Sequence, residues 1–190
     1  MKEKVRKKLI LLRKKISTDE VLNKSNIIKN KLFELEEFKK ASTVLFYVSY
    51  DNEVFTHDMI KESMKMDKEI IVPKSDEENR RLILSKLDKW EDLEKGLYNI
   101  LEPKKEKIKE ISIEKIDLII VPGVGFDEQG NRTGHGKGYY DNLLRNCKNA
   151  LSIGLAFEFQ IIKNIPTNNF DIPVDVIITD KRIIKCRKIS

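Results

Sequence analysis

Ile116-Asp117-Leu118-Ile119-Ile120-Val121-Pro122-Gly123 is the stretch on which the reading of this chain turns. From Leu118 to Val121 four apolar side chains, three of them β-branched, follow one another with no polar interruption. A strand with one wet face would alternate, so this run predicts a strand buried on both faces, as in a parallel sheet covered by helices. Thr43-Val44-Leu45-Phe46-Tyr47-Val48 reads the same way, and Glu69-Ile70-Ile71-Val72, ending at Pro73, is a shorter version. Further strands are expected at 81–87, 150–156, 174–179 and 182–186.

Helices are expected between these strands. Over residues 2–16, Val5, Leu9, Leu12 and Ile16 recur at helical spacing and make one apolar stripe. At 100° per residue Lys2, Arg6 and Arg13 fall beside that stripe, where the helix would meet the body of the protein. Ser17-x-x-Glu20 is a capping box opening a second amphipathic helix, whose stripe reads Val21, Ser25, Ile28, Leu32 and Leu35. Two more helices are expected at 56–66 and 138–146. The alternation specifies an α/β protein, a three-layer α/β/α fold around a largely parallel sheet with two N-terminal amphipathic helices. With 190 residues, no internal repeat and no low-complexity linker, residues 1–190 read as a single domain, with 76–80 as a mobile surface loop.

The hydrophobic fraction is 40% and the charged fraction 36%, which excludes a disordered chain. Thirty-seven Lys and Arg against 31 Asp and Glu leave a formal charge of +6, enough to attract a polyanion. Most lysines alternate with glutamates, as in Lys104-Lys105-Glu106-Lys107, and read as solvated faces. A nucleic-acid-binding protein remains an alternative, but zinc ligands, an aromatic-basic strand motif and a recognition helix are all missing. Cys147 and Cys186 form neither a disulfide framework nor a metal-ligand spacing, so the expected compartment is the cytoplasm. The early apolar run Leu9 to Leu12 is too short for a secretory signal or a membrane span.

Chemistry concentrates just after the decisive strand, in Val121-Pro122-Gly123-Val124-Gly125-Phe126-Asp127 and Asn131-Arg132-Thr133-Gly134-His135-Gly136-Lys137-Gly138-Tyr139-Tyr140-Asp141. Ligands of α/β folds gather at the carboxyl ends of strands. Gly134, Gly136 and Gly138 alternate, so the backbone can reach positive φ and turn amide groups toward an anion at the start of the next helix. Arg132 and Lys137 add cations. The loop is not a Walker P-loop, because Gly138 follows Lys137, and its glycine spacing is not that of a dinucleotide fingerprint. The residues alone leave open a tight strand-to-helix turn, or the anion loop of a sugar-phosphate isomerase or CoA-transferase-like enzyme.

Gly-x-Arg-x-Gly-x-Gly-x-Gly-Tyr-Tyr-Asp, from Gly130 to Asp141 after a Val-Pro-Gly strand end, resembles the motif of the 5-formyltetrahydrofolate cyclo-ligase family. Lys2-x-x-x-Arg6, the Tyr50 to Thr56 segment with Glu53, Gly96-Leu97-Tyr98-Asn99-Ile100-Leu101-Glu102-Pro103 and Asp175 fall in the order of that family's other landmarks. Thr133 and Asn142 depart from its usual pattern. The resemblance implies ATP-dependent closure of 5-formyltetrahydrofolate to 5,10-methenyltetrahydrofolate, with release of ADP and phosphate through a phosphorylated formyl oxygen. It implies ATP binding by Lys2, Glu3, Lys4, Val5 and Arg6 and by Arg132, Thr133, Gly134, His135, Gly136, Lys137, Gly138, Tyr139 and Tyr140. Folate would meet Tyr50, Glu53, Tyr98 and residues 135–139; Arg132, Lys137 and Tyr139 would act in catalysis. Asp141 and Asp175 would together hold Mg²⁺, the ion that accompanies ATP, and polyglutamate forms of the folate are further expected substrates. No nucleic acid, membrane or obligate protein partner is expected. His57 reads as a helix cap or surface residue, and Trp90 as an anchor.

Overall fold

A computed structural model describes residues 2–96, 99–147 and 149–186 of the chain. The chain opens with α1 (Lys2–Lys15), α2 (Thr18–Glu34) and the short α3 (Glu36–Lys40). Then come β1 (Thr43–Leu45), α4 (His57–Lys65), β2 (Glu69–Asp76) and β3 (Arg81–Lys86). A small hairpin, β4 (Leu93–Lys95) and β5 (Leu101–Pro103), precedes β6 (Leu118–Val121). A second, β7 (Gly125–Phe126) and β8 (Arg132–Thr133), leads into α5 (Tyr139–Asn146). β9 (Leu151–Ala156), β10 (Val176–Thr179) and β11 (Ile183–Lys185) finish the described fold.

Among the described residues the main sheet has the order β11-β10-β9-β6-β1-β2-β3. Its five inner strands pair in parallel, while β3 and β11 run antiparallel at the two edges. Alternate side chains of each inner strand enter different cores, as the pleat requires. Val44, Ile70, Leu118, Ile120, Ile153 and Val176 face α2, α3 and α4. Leu45, Ile71, Ile119, Val121 and Ile177 face α5. Both faces are covered, which is why the strands read as unbroken apolar runs. The mixed α/β class, the mainly parallel sheet and the placing of helices against it agree with the sequence reading.

Several boundaries differ for physical reasons. In α1 the inward residues are Leu9 and Arg13, whereas Leu12 is 39% exposed. The helix is rolled toward its basic side, so an arginine takes the place expected for leucine. Ser17 does cap α2, its Oγ accepting the Glu20 N–H at 3.2 Å. β1 stops at Leu45 although Phe46, Tyr47 and Val48 are buried, because the chain there leaves the ladder to wall a cavity. β2 continues through Pro73 to Asp76. Its partner on one side, β1, has already ended, so the amide hydrogen that proline lacks has no ladder partner to disappoint. The 76–80 stretch forms the hairpin turn into β3, where Asp76 accepts from Asn79 and Arg81. His57 lies at the start of α4 between the rings of Phe55 and Trp90, at 4.5 and 4.9 Å, and its Nε2–H donates to the Ser49 carbonyl at 2.9 Å. Burial lowers its pKa, aided by Lys61.

The hairpin β7–β8 sets the height of the glycine loop above the sheet. Gly125 pairs with Thr133 and Phe126 with Arg132. The Phe126 ring lies between Gly123 and Gly154, where an added Cβ would stand only 2.5 and 2.6 Å from it. Among the described residues no helix is long and apolar enough to cross a membrane.

Candidate active site

The loop after β8 opens over the carboxyl ends of β1 and β6. Gly136 and Gly138 take φ of 94° and 71°, a region that side chains resist, whereas Gly134 does not need positive φ. Gly138 is the N-cap of α5, so the loop passes directly into a helix start, where unpaired amides and the helix dipole favour an anion. Below it lies a cavity of about 880 Å³. Its walls come from α1, the segment after β1, the β2–β3 hairpin, the glycine loop and the loop before β10.

Basic groups converge on this space. Arg6 lines it and lies against Gly136, where an added Cβ would approach its Nη1 to 3.1 Å; its buried Nε has no hydrogen-bond partner among the described residues. Lys2 reaches both carboxylate oxygens of Asp171 at 2.8 Å. Burial raises the Asp171 pKa, but Lys2, the Asn168 amide and Arg132 outweigh it and hold the carboxyl below its ordinary value. Arg132 is 7% exposed and donates to Asp141 Oδ1 at 2.8 Å and to the Ile172 carbonyl. Burial lowers its pKa while Asp141 opposes the shift. Lys137, more exposed, pairs with Glu77 and lies over the Tyr139 ring at 5.9 Å.

A second group of side chains sits across the cavity. The Tyr50 hydroxyl and His135 Nε2 are 3.1 Å apart, and His135 Nε2 is 3.9 Å from Glu53 Oε1. Glu53 is 7% exposed, and its Oε2 accepts the Tyr50 N–H at 3.3 Å. The Tyr140 hydroxyl is buried without a hydrogen-bond partner among the described residues; burial and then Glu53 push its pKa well up, so it remains a neutral donor.

Most expected site residues thus share one cavity: Lys2, Arg6, Tyr50, Glu53, Arg132, Gly134 to Asp141. The exceptions are informative. Glu3 and Lys4 point outward, Glu3 pairing with Lys7, and Val5 does not line the cavity. Thr133 is buried in β8 beneath the loop rather than in its wall. Tyr98 lies outside the described residues. Sequence reasoning missed Asp171 and Glu102, both cavity-lining. For Asp171 the signal was available only as an acidic residue four positions before another.

The structure separates the carboxylates expected to share Mg²⁺. β10 does not adjoin the strand ending at Pro122, since β9 intervenes. Asp175 therefore stands at the amino edge of the sheet, where Oδ2 accepts the Ser152 N–H at 2.9 Å and hydroxyl at 2.6 Å. It does not line the cavity that contains Asp141. Asp141 uses Oδ1 for Arg132 and for the Ile172 N–H at 3.0 Å, which leaves its second oxygen for a hard cation. No cluster of three His, Cys, Asp or Glu suited to a metal occurs among the described residues. Such a donor set fits an ion that brings phosphate and water ligands with it, not one held in a protein-built cage.

Known proteins with this sequence pattern and architecture are enzymes of folate chemistry. The 5-formyltetrahydrofolate cyclo-ligase of Mus musculus is 31% identical over 173 residues, covering 86% of this chain and 85% of its own. The NMR structure of Aquifex aeolicus 5,10-methenyltetrahydrofolate synthetase matches with a TM-score of 0.87 at 36% identity, covering 98% of this chain and 93% of that one. The corresponding synthetase of Mycoplasma pneumoniae matches with a TM-score of 0.77 at 26% identity, covering 94% and 98%. A sequence model of the 5-formyltetrahydrofolate cyclo-ligase family spans residues 1–180, and that span includes every wall of the cavity, so the chain belongs to this family of ring-closing ligases.

Proposed function

We propose that the cavity binds ATP and 5-formyltetrahydrofolate together and joins N10 of the folate to its formyl carbon. The convergence of Lys2, Arg6 and Arg132 on a glycine loop that caps a helix carries this reading. Those cations and the loop amides take the phosphates, and Lys137 reaches the transferring group from the rim. Phosphoryl transfer is chiefly positioning and charge stabilisation, so a site rich in donors and without a strong nucleophile suits it. Asp141 is the carboxylate that would hold a magnesium ion, which when bound with the nucleotide would neutralise phosphate charge.

The formyl oxygen takes the terminal phosphoryl group from ATP, and ADP is released. The phosphorylated oxygen is now a good leaving group. The N10 lone pair attacks the formyl carbon, the N10 proton is lost, and the C–O bond breaks to release phosphate. The product is the cyclic 5,10-methenyl cation. Tyr50, Glu53 and His135 form the folate side, with Glu53 accepting N–H donors of the pterin. Tyr139 adds aromatic surface. Arg80 at the rim suits the negative tail of polyglutamate substrates. Residues 1–190 act as one domain, and the cytoplasm is the proposed compartment, consistent with two cysteines and no disulfide framework.

The test is spectroscopic. Purified protein with 5-formyltetrahydrofolate, ATP and magnesium should generate the near-ultraviolet band of the methenyl product with one ADP per product. A band that forms equally without ATP, or ATP use without the band, would overturn the reading.

A further inference from the structure

Arg13 has no part in the chemistry above, yet its side chain is 2% exposed. Burying a guanidinium is costly unless it is paired, so a buried arginine needs a reason. Its Nη1 lies 3.6 Å from Glu53 Oε1 and its Nη2 3.8 Å from Asp51 Oδ2. Among the described residues Nε and Nη1 have no hydrogen-bond partner. The pairing is electrostatic and slightly open. The same loop grips the backbone of α1: Asn52 Nδ2 donates to the carbonyls of Arg13 at 3.0 Å and Ile16 at 3.1 Å, satisfying C-terminal groups that a helix leaves unpaired.

One helix therefore lines the cavity at its start and reaches a second wall residue, Glu53, from its end. The first turns of α1 bring Lys2 and Arg6 to the phosphate side; its last turn brings Arg13 to the carboxylate that faces the folate. Among the described residues Glu53 otherwise has the Tyr50 N–H at 3.3 Å and His135 at 3.9 Å to orient it.

We propose that Arg13 is a positioning residue that holds Glu53 oriented for the N–H donors of the folate ring, and that α1 thereby couples nucleotide binding to folate binding. ATP drawing Lys2 and Arg6 onto its phosphates tightens the seat of Arg13 on Glu53. Linkage then requires that folate tighten ATP binding by the same factor. This inference rests on Glu53 being the folate carboxylate.

The experiment uses full-length protein and measures KM for each substrate, kcat, thermal midpoint, and folate Kd with and without a non-hydrolysable ATP analogue. Arg13→Met should raise folate KM about tenfold or more, leave the Kd of the ATP analogue measured without folate within about twofold, and abolish the tightening of folate by the analogue. Arg13→Lys, which keeps charge but loses the forked reach, should recover part of both. Asn52→Ala should weaken the coupling while leaving folate Kd without nucleotide nearly unchanged. In the Glu53→Gln background, Arg13→Met should have no further effect on folate KM, because its target charge is gone. Equal losses from Arg13→Met with and without Glu53→Gln would make Arg13 a packing residue and overturn the proposal. If Glu53→Gln alone leaves folate KM unchanged, the assignment of Glu53 fails and the role of Arg13 falls with it. Should Arg13→Met not fold, Arg13→Lys carries the test: an unchanged folate KM and an unchanged analogue effect would overturn it.

Discussion

At the amino edge of the sheet Asp117 and Asp175 each stand one residue before a strand and direct a carboxylate at the start of a neighbour. Asp117 accepts the Ser42 and Thr43 N–H groups, both at 2.8 Å, and Asp175 accepts the N–H and hydroxyl of Ser152. At the carboxyl edge Asp141 and Asp171 divide theirs between a backbone N–H and a basic side chain, Arg132 and Lys2 respectively. The residue type is the same; the partners differ. A carboxylate shared with fixed amides of adjacent strands adds to the sheet and has little left for a ligand. One shared with a cation in a cavity wall keeps both the local charge and the cation in place for phosphate.

The largest expected effect is at Asp141. Asp141→Asn should fold, lose about ten- to a hundredfold in activity and need more magnesium to recover part of it, since a charge-assisted contact is worth about 1.5–3 kcal/mol. Activity measured against magnesium concentration is the readout. If Asp175→Asn raises the magnesium requirement instead, the division between the two edges is wrong. Next is Lys137→Ala, expected to lower kcat/KM for ATP about tenfold without moving the thermal midpoint, because its pair with Glu77 is exposed. Wild-type kcat/KM for ATP would remove Lys137 from the nucleotide site.

Asp175→Asn should do the reverse, keeping kcat/KM while stability falls by about 1–2 kcal/mol, or roughly 2–8 °C in midpoint for a domain of this size. A normal midpoint with lost activity would return Asp175 to the site. The smallest effect belongs to His57, which lies near the cavity side of β1 but serves the fold. Its depressed pKa means the folded state favours the neutral ring. The stability this provides is complete above its unfolded value of about 6.5 and fades as pH falls through the lower folded value. Between pH 7.5 and 5.5 the wild-type midpoint should fall about 1–2 °C further than that of His57→Gln, a small difference because the ring is partly exposed. Parallel curves would show that His57 contributes no pH dependence.

The inner strands were legible because burial on both faces leaves a run of apolar residues with no other economical reading. The stripe Val21, Ser25, Ile28 and Leu32 located α2 for a similar reason, each of these side chains being buried. Elements of two to five residues, such as α3 and the β7–β8 hairpin, carry too few side chains to show a period. The end of β1 was hidden because Phe46 to Val48 are as apolar as the strand itself; what stops the ladder is the cavity. Within the site, the glycine loop, Lys2, Arg6 and Glu53 were visible through their motifs. Asp171 and Asp175 were not separable, since four positions along an extended chain cross from one edge of the sheet to the other. Arg13 could be placed beside the stripe, but its burial depends on Asp51, Asn52 and Glu53 arriving from another segment.

The phenyl ring laid between Gly123 and Gly154 acts as a shim of fixed thickness under the floor of the cavity. Because Phe126 is paired with Arg132, the clearance beneath that ring also sets the level at which the guanidinium meets Asp141. A methyl group added to β9 at Gly154 would jack the hairpin upward without touching any ligand. The depth at which this enzyme seats its substrates is thus gauged from below, by what the sheet leaves out.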